Sequence, residues 1–211
     1  MERDPGLPLV WAPCHSGRKP VLLRHFPDDP TQITAWHRLD ARLTTSGQPD
    51  AEQLALLVPL GVTHVINLAL PSQEKSLPDE AGLLAAVGIG YTSIPVDFAD
   101  PREADYARFC EAMDRLEGQT VHVHCILNLR VSAFLYRWRQ DRQGLPEAEA
   151  RQELERLWRP GGAWARFIGR AEDAAAEHRY PARDYVFDES DGTQAGLEDQ
   201  TGLSAARTES R

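Results

Sequence analysis

The chain is expected to fold as an α/β domain built on a central, mainly parallel sheet, and three observations predict it. Short apolar runs alternate with longer segments of helical spacing between about residues 49 and 177. That alternation is the pattern of strand–helix–strand units. Glycines stand where several helical segments should stop, at Gly61, Gly88 and Gly144, because glycine adopts the left-handed conformation that ends a helix. The runs Val62–Leu68 and Thr120–His124 are short and apolar enough to be buried strands.

Taken in order, residues 1–30 are rich in Pro and Gly without a steady period and predict an irregular lead-in, with Val21–Leu23 as a short strand. Trp36–Leu43 predicts a first strand pair, followed by turn chemistry at Ser46-Gly47. Pro49-Asp50 opens a helix to about Val58, with Leu54, Leu57 and Val58 on one face. Pro78-Asp79-Glu80 opens a second helix through Ala86, and Tyr91–Val96 is the next strand. Pro101–Leu116 is amphipathic, with Tyr106, Phe109, Met113 and Leu116 at helical spacing. Val131–Arg142, Pro146–Trp158 and Ala163–Glu177 predict three further helices, the last two divided by Pro160-Gly161-Gly162. The domain is therefore placed at 31–180. Residues 181–211 read as a disordered acidic tail, since from 182 onward three arginines face seven carboxylates among Gly, Ser, Thr and Gln.

Composition narrows the function. A net charge of -9 argues against a general nucleic-acid or anionic-membrane binder, while leaving room for a small local cationic site. Three cysteines, Cys14, Cys110 and Cys125, are too sparse and odd a set for a disulfide framework and suit a reducing compartment. The N-terminal residues lack a continuous apolar stretch and no run approaches a membrane span, so a cytoplasmic protein is expected.

The most informative stretch is Val121-His-Val-His-Cys-Ile-Leu-Asn-Leu-Arg130. It reads as a strand delivering Cys125 to a four-residue loop, then Arg130, then a helix. Free N–H groups and the positive end of the helix dipole would favour a thiolate there. Arg130 could grip two oxygens of an anion with its planar fork. A cation at a helix N-terminus is unfavourable unless an anion sits beside it, so the placement itself implies one. A thiolate in an anion cradle can attack phosphorus or carry sulfur. Asn128 can take the left-handed conformation a tight loop demands. His124 should orient or tune the cysteine from behind rather than act as an acid or base, since strand alternation points its side chain away from that of Cys125. Alternate His122 and His124 could share a metal, but further ligands at recognised spacing are missing, and no metal or other cofactor is expected. Trp158, Trp164 and Phe167 read as core packing, and Arg137, Arg139 and Arg142 as a solvated face.

His124-Cys125 followed by Arg130 resembles the phosphate-binding loop of the cysteine-dependent tyrosine and dual-specificity phosphatases. A bacterial branch, the beta-lactamase-hydrolase-like phosphatases, is the closer match. Its pattern runs through Thr45-Ser-Gly-Gln-Pro49, Gly61-Val-Thr-His-Val-Ile-Asn-Leu68, Ile94-Pro-Val-Asp97, His124–Arg130, Ser132-Ala-Phe134 and Trp158-Arg-Pro160 with Trp164. The usual loop has five residues between Cys and Arg, often a glycine, and Ser or Thr directly after Arg; here there are four, no glycine, and Val131 precedes Ser132.

The resemblance implies a three-layer phosphatase-like domain hydrolysing phosphomonoesters on a protein or small molecule through a phosphocysteine on Cys125. Arg130 would bind phosphate and Asp97 would serve as general acid, with Asp100, otherwise an N-cap for the following helix, as its competitor. Ile126, Leu127, Asn128, Leu129 and Ser132 would surround the substrate phosphate. Two other readings stand beside it. The four-residue spacing is also that of rhodanese-like sulfurtransferases, which carry a persulfide. The bulky loop also suits a module that binds phosphate without cleaving it.

Overall fold

The computed structural model describes residues 29–187 together with 194 and 195. The expected Val21–Leu23 strand, Cys14, nearly all of the lead-in and most of the acidic tail lie outside the described residues. Five strands form the main sheet: β1 (His37–Arg38), β2 (Leu43–Ser46), β3 (His64–Asn67), β4 (Gly90–Ser93) and β5 (Val121–His124). Their spatial order is β1-β2-β5-β3-β4. Only the β1–β2 pair is antiparallel, so the sheet is mainly parallel as expected. The strand that carries Cys125 is central, with β2 and β3 hydrogen-bonded on either side.

Helices cover both faces, as a parallel sheet requires. One face carries α1 (Ala51–Leu54), which tightens into a 3-10 turn over Ala55–Leu57, and α2 (Glu80–Ala86). Their Leu54, Leu57 and Leu84 pack with Val62, Val65 and Ile89. The other face carries α3 (Glu103–Arg115), α4 (Leu129–Gln143), α5 (Glu147–Glu155) and α6 (Gly162–Phe167). The larger core lies under these, around Phe109, Phe134, Trp158 and Trp164. Each fully buried aromatic or aliphatic side chain there contributes about 1.5–3 kcal/mol relative to exposure.

Local chemistry explains the boundaries. Asp50 caps α1 in a reciprocal box with Gln53. The ladder of β4 ends at Ser93, short of the expected Val96. Ile94 and Val96 still donate to the carbonyls of Asn67 and Leu68, but Pro95 has no N–H to give. The helix after Cys125 starts two residues earlier than expected, at Leu129, which puts Arg130 inside its first turn. The helix expected over Ala163–Glu177 breaks after Phe167, where Gly169 turns left-handed at φ 80°, and a 3-10 turn over Ala171–Ala175 follows.

Packing also runs past the boundary expected at 181. Tyr185 is fully buried, with its hydroxyl donating to the Glu155 carbonyl. Beyond it β6 (Val186–Phe187) pairs antiparallel with β7 (Gln194–Ala195).

Candidate active site

Cys125 follows the last residue of β5 and opens a cleft of about 290 Å³ lined by Gln73, Phe98, Ile126, Leu127, Leu129, Arg130 and Tyr180. Neighbouring strands tie down both sides of the cysteine. The Cys125 N–H donates to the Ser46 carbonyl at 3.4 Å, and the Gln48 N–H to the Ile126 carbonyl at 3.1 Å. Between them, Gly47 bridges to Leu127. A Cβ on Gly47 would lie 2.7 Å from the Ile126 carbonyl oxygen, so the glycine of the Thr45–Pro49 motif permits this close approach.

Asn128 caps α4 in the left-handed conformation, at φ 65° and ψ 0°. Its amide donates to the Ala35 carbonyl at 2.8 Å and to Thr45 Oγ1 at 2.9 Å. The residue thus sets the turn where the related loops often carry glycine, and clamps it to β2 and the segment before β1. The first-turn N–H groups of α4 have no acceptor within the helix.

Arg130 is buried, with 3% of its surface exposed. Nη1 donates to the Leu68 carbonyl at 3.1 Å and Nη2 to Gln73 Oε1 at 2.7 Å. Nε has no partner, and no carboxylate pairs with the guanidinium among the described residues. Phe98 stands beside it, 5.8 Å from ring centroid to guanidinium carbon. Burial pulls the Arg130 pKa down from its ordinary value, while the charges of Cys125 and Asp97 push it back up. Buried cations are ordinarily paired; this one faces the cysteine cleft with a donor to spare.

The other expected residues divide. Asp97 is exposed on the loop after β4, where its Oδ1 accepts from the Ala99 N–H at 2.9 Å, within electrostatic reach of Arg130. Asp100 does not cap α3: its carboxylate lies 2.8 Å from Arg102 Nε, and Arg102 holds the cap position with no side-chain hydrogen bond. Ser132 faces away from the cleft. Its hydroxyl donates to the Leu129 carbonyl and accepts from Trp158 Nε1, at 2.9 and 3.1 Å, so its placement one position late in α4 aims it at the core.

Both nitrogens of His122 face hydroxyls, Thr44 Oγ1 at 2.9 Å and Ser46 Oγ at 3.0 Å. Arg137, Arg139 and Arg142 pair with Glu103, Glu153 and Asp114. Trp158 and Trp164 pack against Phe98 at 5.7 and 5.4 Å, and Trp164 Nε1 donates to its carbonyl at 2.8 Å. The tryptophan motif therefore braces the cleft wall from behind.

Sequence reasoning missed Gln73, Phe98, Tyr180 and Glu80. Gln73 stands in a loop of no clear period, and Tyr180 arrives from 55 residues beyond the cysteine, so neither carried a local signal. Glu80 had one: it is the acidic opener of α2, but spacing could not show that it points inward.

Comparison with known proteins decides the family. No family model matches the chain. A protein of Shewanella putrefaciens CN-32, assigned to DUF442 as a phosphatase, has a solved structure that is 33% identical. It covers 70% of this chain and 96% of its own, with a TM-score of 0.60. The chain belongs to this DUF442 family.

The curated beta-lactamase hydrolase-like protein of Xylella fastidiosa (strain Temecula1 / ATCC 700964) is 32% identical over 90 residues, 41% of this chain. The match spans 21% of that relative's length. TpbA of P. aeruginosa, at 23% identity, shares the fold with a TM-score of 0.50, over 59% of this chain and 74% of its own. Both the phosphatase resemblance and the α/β architecture read from the sequence are thereby borne out. No helix among the described residues is long and apolar enough to cross a membrane.

Proposed function

We propose that this protein hydrolyses phosphomonoesters through a phosphocysteine on Cys125. The observation that carries the reading is Arg130: a buried guanidinium with an unpartnered Nε and, among the described residues, no carboxylate paired to it, beside the cysteine that opens the cleft. Such a cation fits a dianionic phosphoryl group, with N–H donors of the α4 first turn around it.

In the first step the Cys125 thiolate attacks phosphorus, the S–P bond forms and the bond to the ester oxygen breaks. Arg130 stabilises the charge spread over the equatorial oxygens. Asp97 gives its proton to the departing oxygen. In the second step water attacks the phosphocysteine, its proton passes to the Asp97 carboxylate, the S–P bond breaks and inorganic phosphate leaves. Ile126, Leu127, Asn128 and Leu129 form the loop around the phosphoryl group. Leu127 is 47% exposed and, with Phe98 and Tyr180, gives the cleft an apolar rim. That rim suits an ester whose alcohol side is at least partly apolar.

The test is hydrolysis of an aryl phosphate under reducing conditions by wild-type protein and by Cys125→Ser. Turnover abolished by the substitution supports the reading. Absence of turnover together with sulfur transfer from thiosulfate would replace it with the persulfide reading.

A further inference from the structure

Glu80, the first residue of α2, is 4% exposed. Its carboxylate gathers groups from three strands of the sheet and from the loop after a fourth. Oε1 lies 3.1 Å from Gln48 Nε2, just beyond β2, and 2.9 Å from His124 Nε2 at the end of β5. Oε2 accepts from Asn67 Nδ2 at 2.8 Å, at the end of β3, and from the Tyr91 hydroxyl at 3.2 Å, in β4. The His124 ring approaches out of line for a good hydrogen bond, so that contact is one of charge more than of direction.

Glu80 bears on both sides of Cys125. His124 immediately precedes the cysteine, and the Gln48 N–H binds the Ile126 carbonyl that immediately follows it. A buried carboxylate needs a compensating cation, and of the four contacting side chains only His124 can carry a positive charge. Burial pushes the Glu80 pKa up, but the close contact and charge of His124, helped by hydrogen bonds from Gln48 and Asn67, bring it below the ordinary carboxylate value. The next ring, His122, stacks on His124 with centroids 6.0 Å apart. Burial first, and then the charge of His124, hold His122 well below the ordinary histidine value. Among the described residues, the titratable and charged groups around the cysteine are thus Glu80 from α2, His122 and His124 from β5, Tyr91 from β4, Arg130 from α4, Asp97 from the loop after β4 and Tyr180 at the cleft. The ends of β2 and β3 add the neutral Ser46, Gln48 and Asn67.

We propose that Glu80 is a positioning residue for the Cys125 thiolate, acting through His124. The carboxylate keeps the imidazole ring fixed and cationic behind the cysteine. With the cation on the residue that immediately precedes the cysteine, the pair favours the thiolate. The proposal deepens the phosphocysteine reading by supplying the nucleophile that reading requires, but its test does not need turnover.

The experiment is the pH dependence of Cys125 alkylation by iodoacetamide, followed on the Cys125 peptide by mass spectrometry. This separates it from Cys14 and from the buried Cys110. In Glu80→Gln the midpoint is expected to rise by about one unit, the lower end of the effect of a charge within a few ångströms. Tyr91→Phe removes a neutral donor from the same carboxylate and should leave the midpoint in place. An unchanged midpoint in Glu80→Gln, or an equal rise in Tyr91→Phe, overturns the proposal. Should Glu80→Gln not fold, the nitrogen NMR signals of His124 in the wild-type protein decide: a doubly protonated ring at neutral pH supports the proposal, and a neutral tautomer overturns it. A midpoint shift without aryl phosphate turnover would remove the phosphatase reading alone. Turnover without a shift would remove this one alone.

Discussion

Replacing Arg130 by Met removes the feature on which the functional reading rests, and the structure sets the size of the effect. Without an anion the guanidinium makes two hydrogen bonds, to Leu68 O and Gln73 Oε1. Such charge-assisted bonds contribute about 1.5–3 kcal/mol each. Against that, a buried cation loses hydration at a cost of several kcal/mol. The stability of the unliganded variant should therefore change little. The difference appears with phosphate. At a hundred times its Kd, phosphate should stabilise the wild-type protein by about 2.7 kcal/mol, a Tm increase of about 5–11 °C for a chain of this size. Losing two charge-assisted contacts to the anion, about 3 kcal/mol together, weakens binding roughly 150-fold and leaves the variant a shift of no more than about 1 °C at the same concentration. Thermal melting in phosphate and in chloride at matched ionic strength measures both shifts. An Arg130→Met variant with the wild-type phosphate shift would refute the argument that Arg130 holds the anion.

Asp97→Asn should lower kcat on an aryl phosphate by about 10²–10⁴-fold, and Asp100→Asn should leave it near wild type; the reverse pattern would exchange their roles. Asn128→Gly should cost about 2 kcal/mol in urea denaturation, for two lost hydrogen bonds. Asn128→Ala should cost about 3–4 kcal/mol, because alanine adds the strain of a left-handed φ, and equal losses would show that backbone conformation is not at issue. Burial, with Arg156 and Arg139 nearby, lowers the His37 pKa to about 4. Between pH 6.5 and 4 the unfolded chain therefore binds a proton that the folded one does not, and stability should fall by on the order of 3 kcal/mol as pH drops through that window. His37→Asn should flatten that part of a stability-against-pH curve, and an unchanged slope would show that His37 is not the source.

The order of strands and helices was legible in the sequence because it follows from local periodicity and from glycine and proline at the breaks. The cysteine loop was legible for the same reason: Cys125, Asn128 and Arg130 lie within six consecutive residues, and the demand for a left-handed residue at 128 is local. The length of the last helix was not. Apolar spacing continues past Phe167, yet Gly169 offers a left-handed exit and the chain takes it. Ser132 was misplaced by the rotation of a single residue step, about 100° around a helix, which separates the cleft from the tryptophan behind it.

What the sequence determined by itself is a mainly parallel α/β domain that ends a central strand in a cysteine and starts a helix with an arginine. Tertiary structure alone decided what surrounds that pair. Gln73 against Arg130, Tyr180 at the cleft, and Glu80 against Gln48 and His124 are contacts between residues tens of positions apart. No periodicity encodes such contacts, because they exist only after the parallel crossovers have brought distant strand ends to one edge of the sheet.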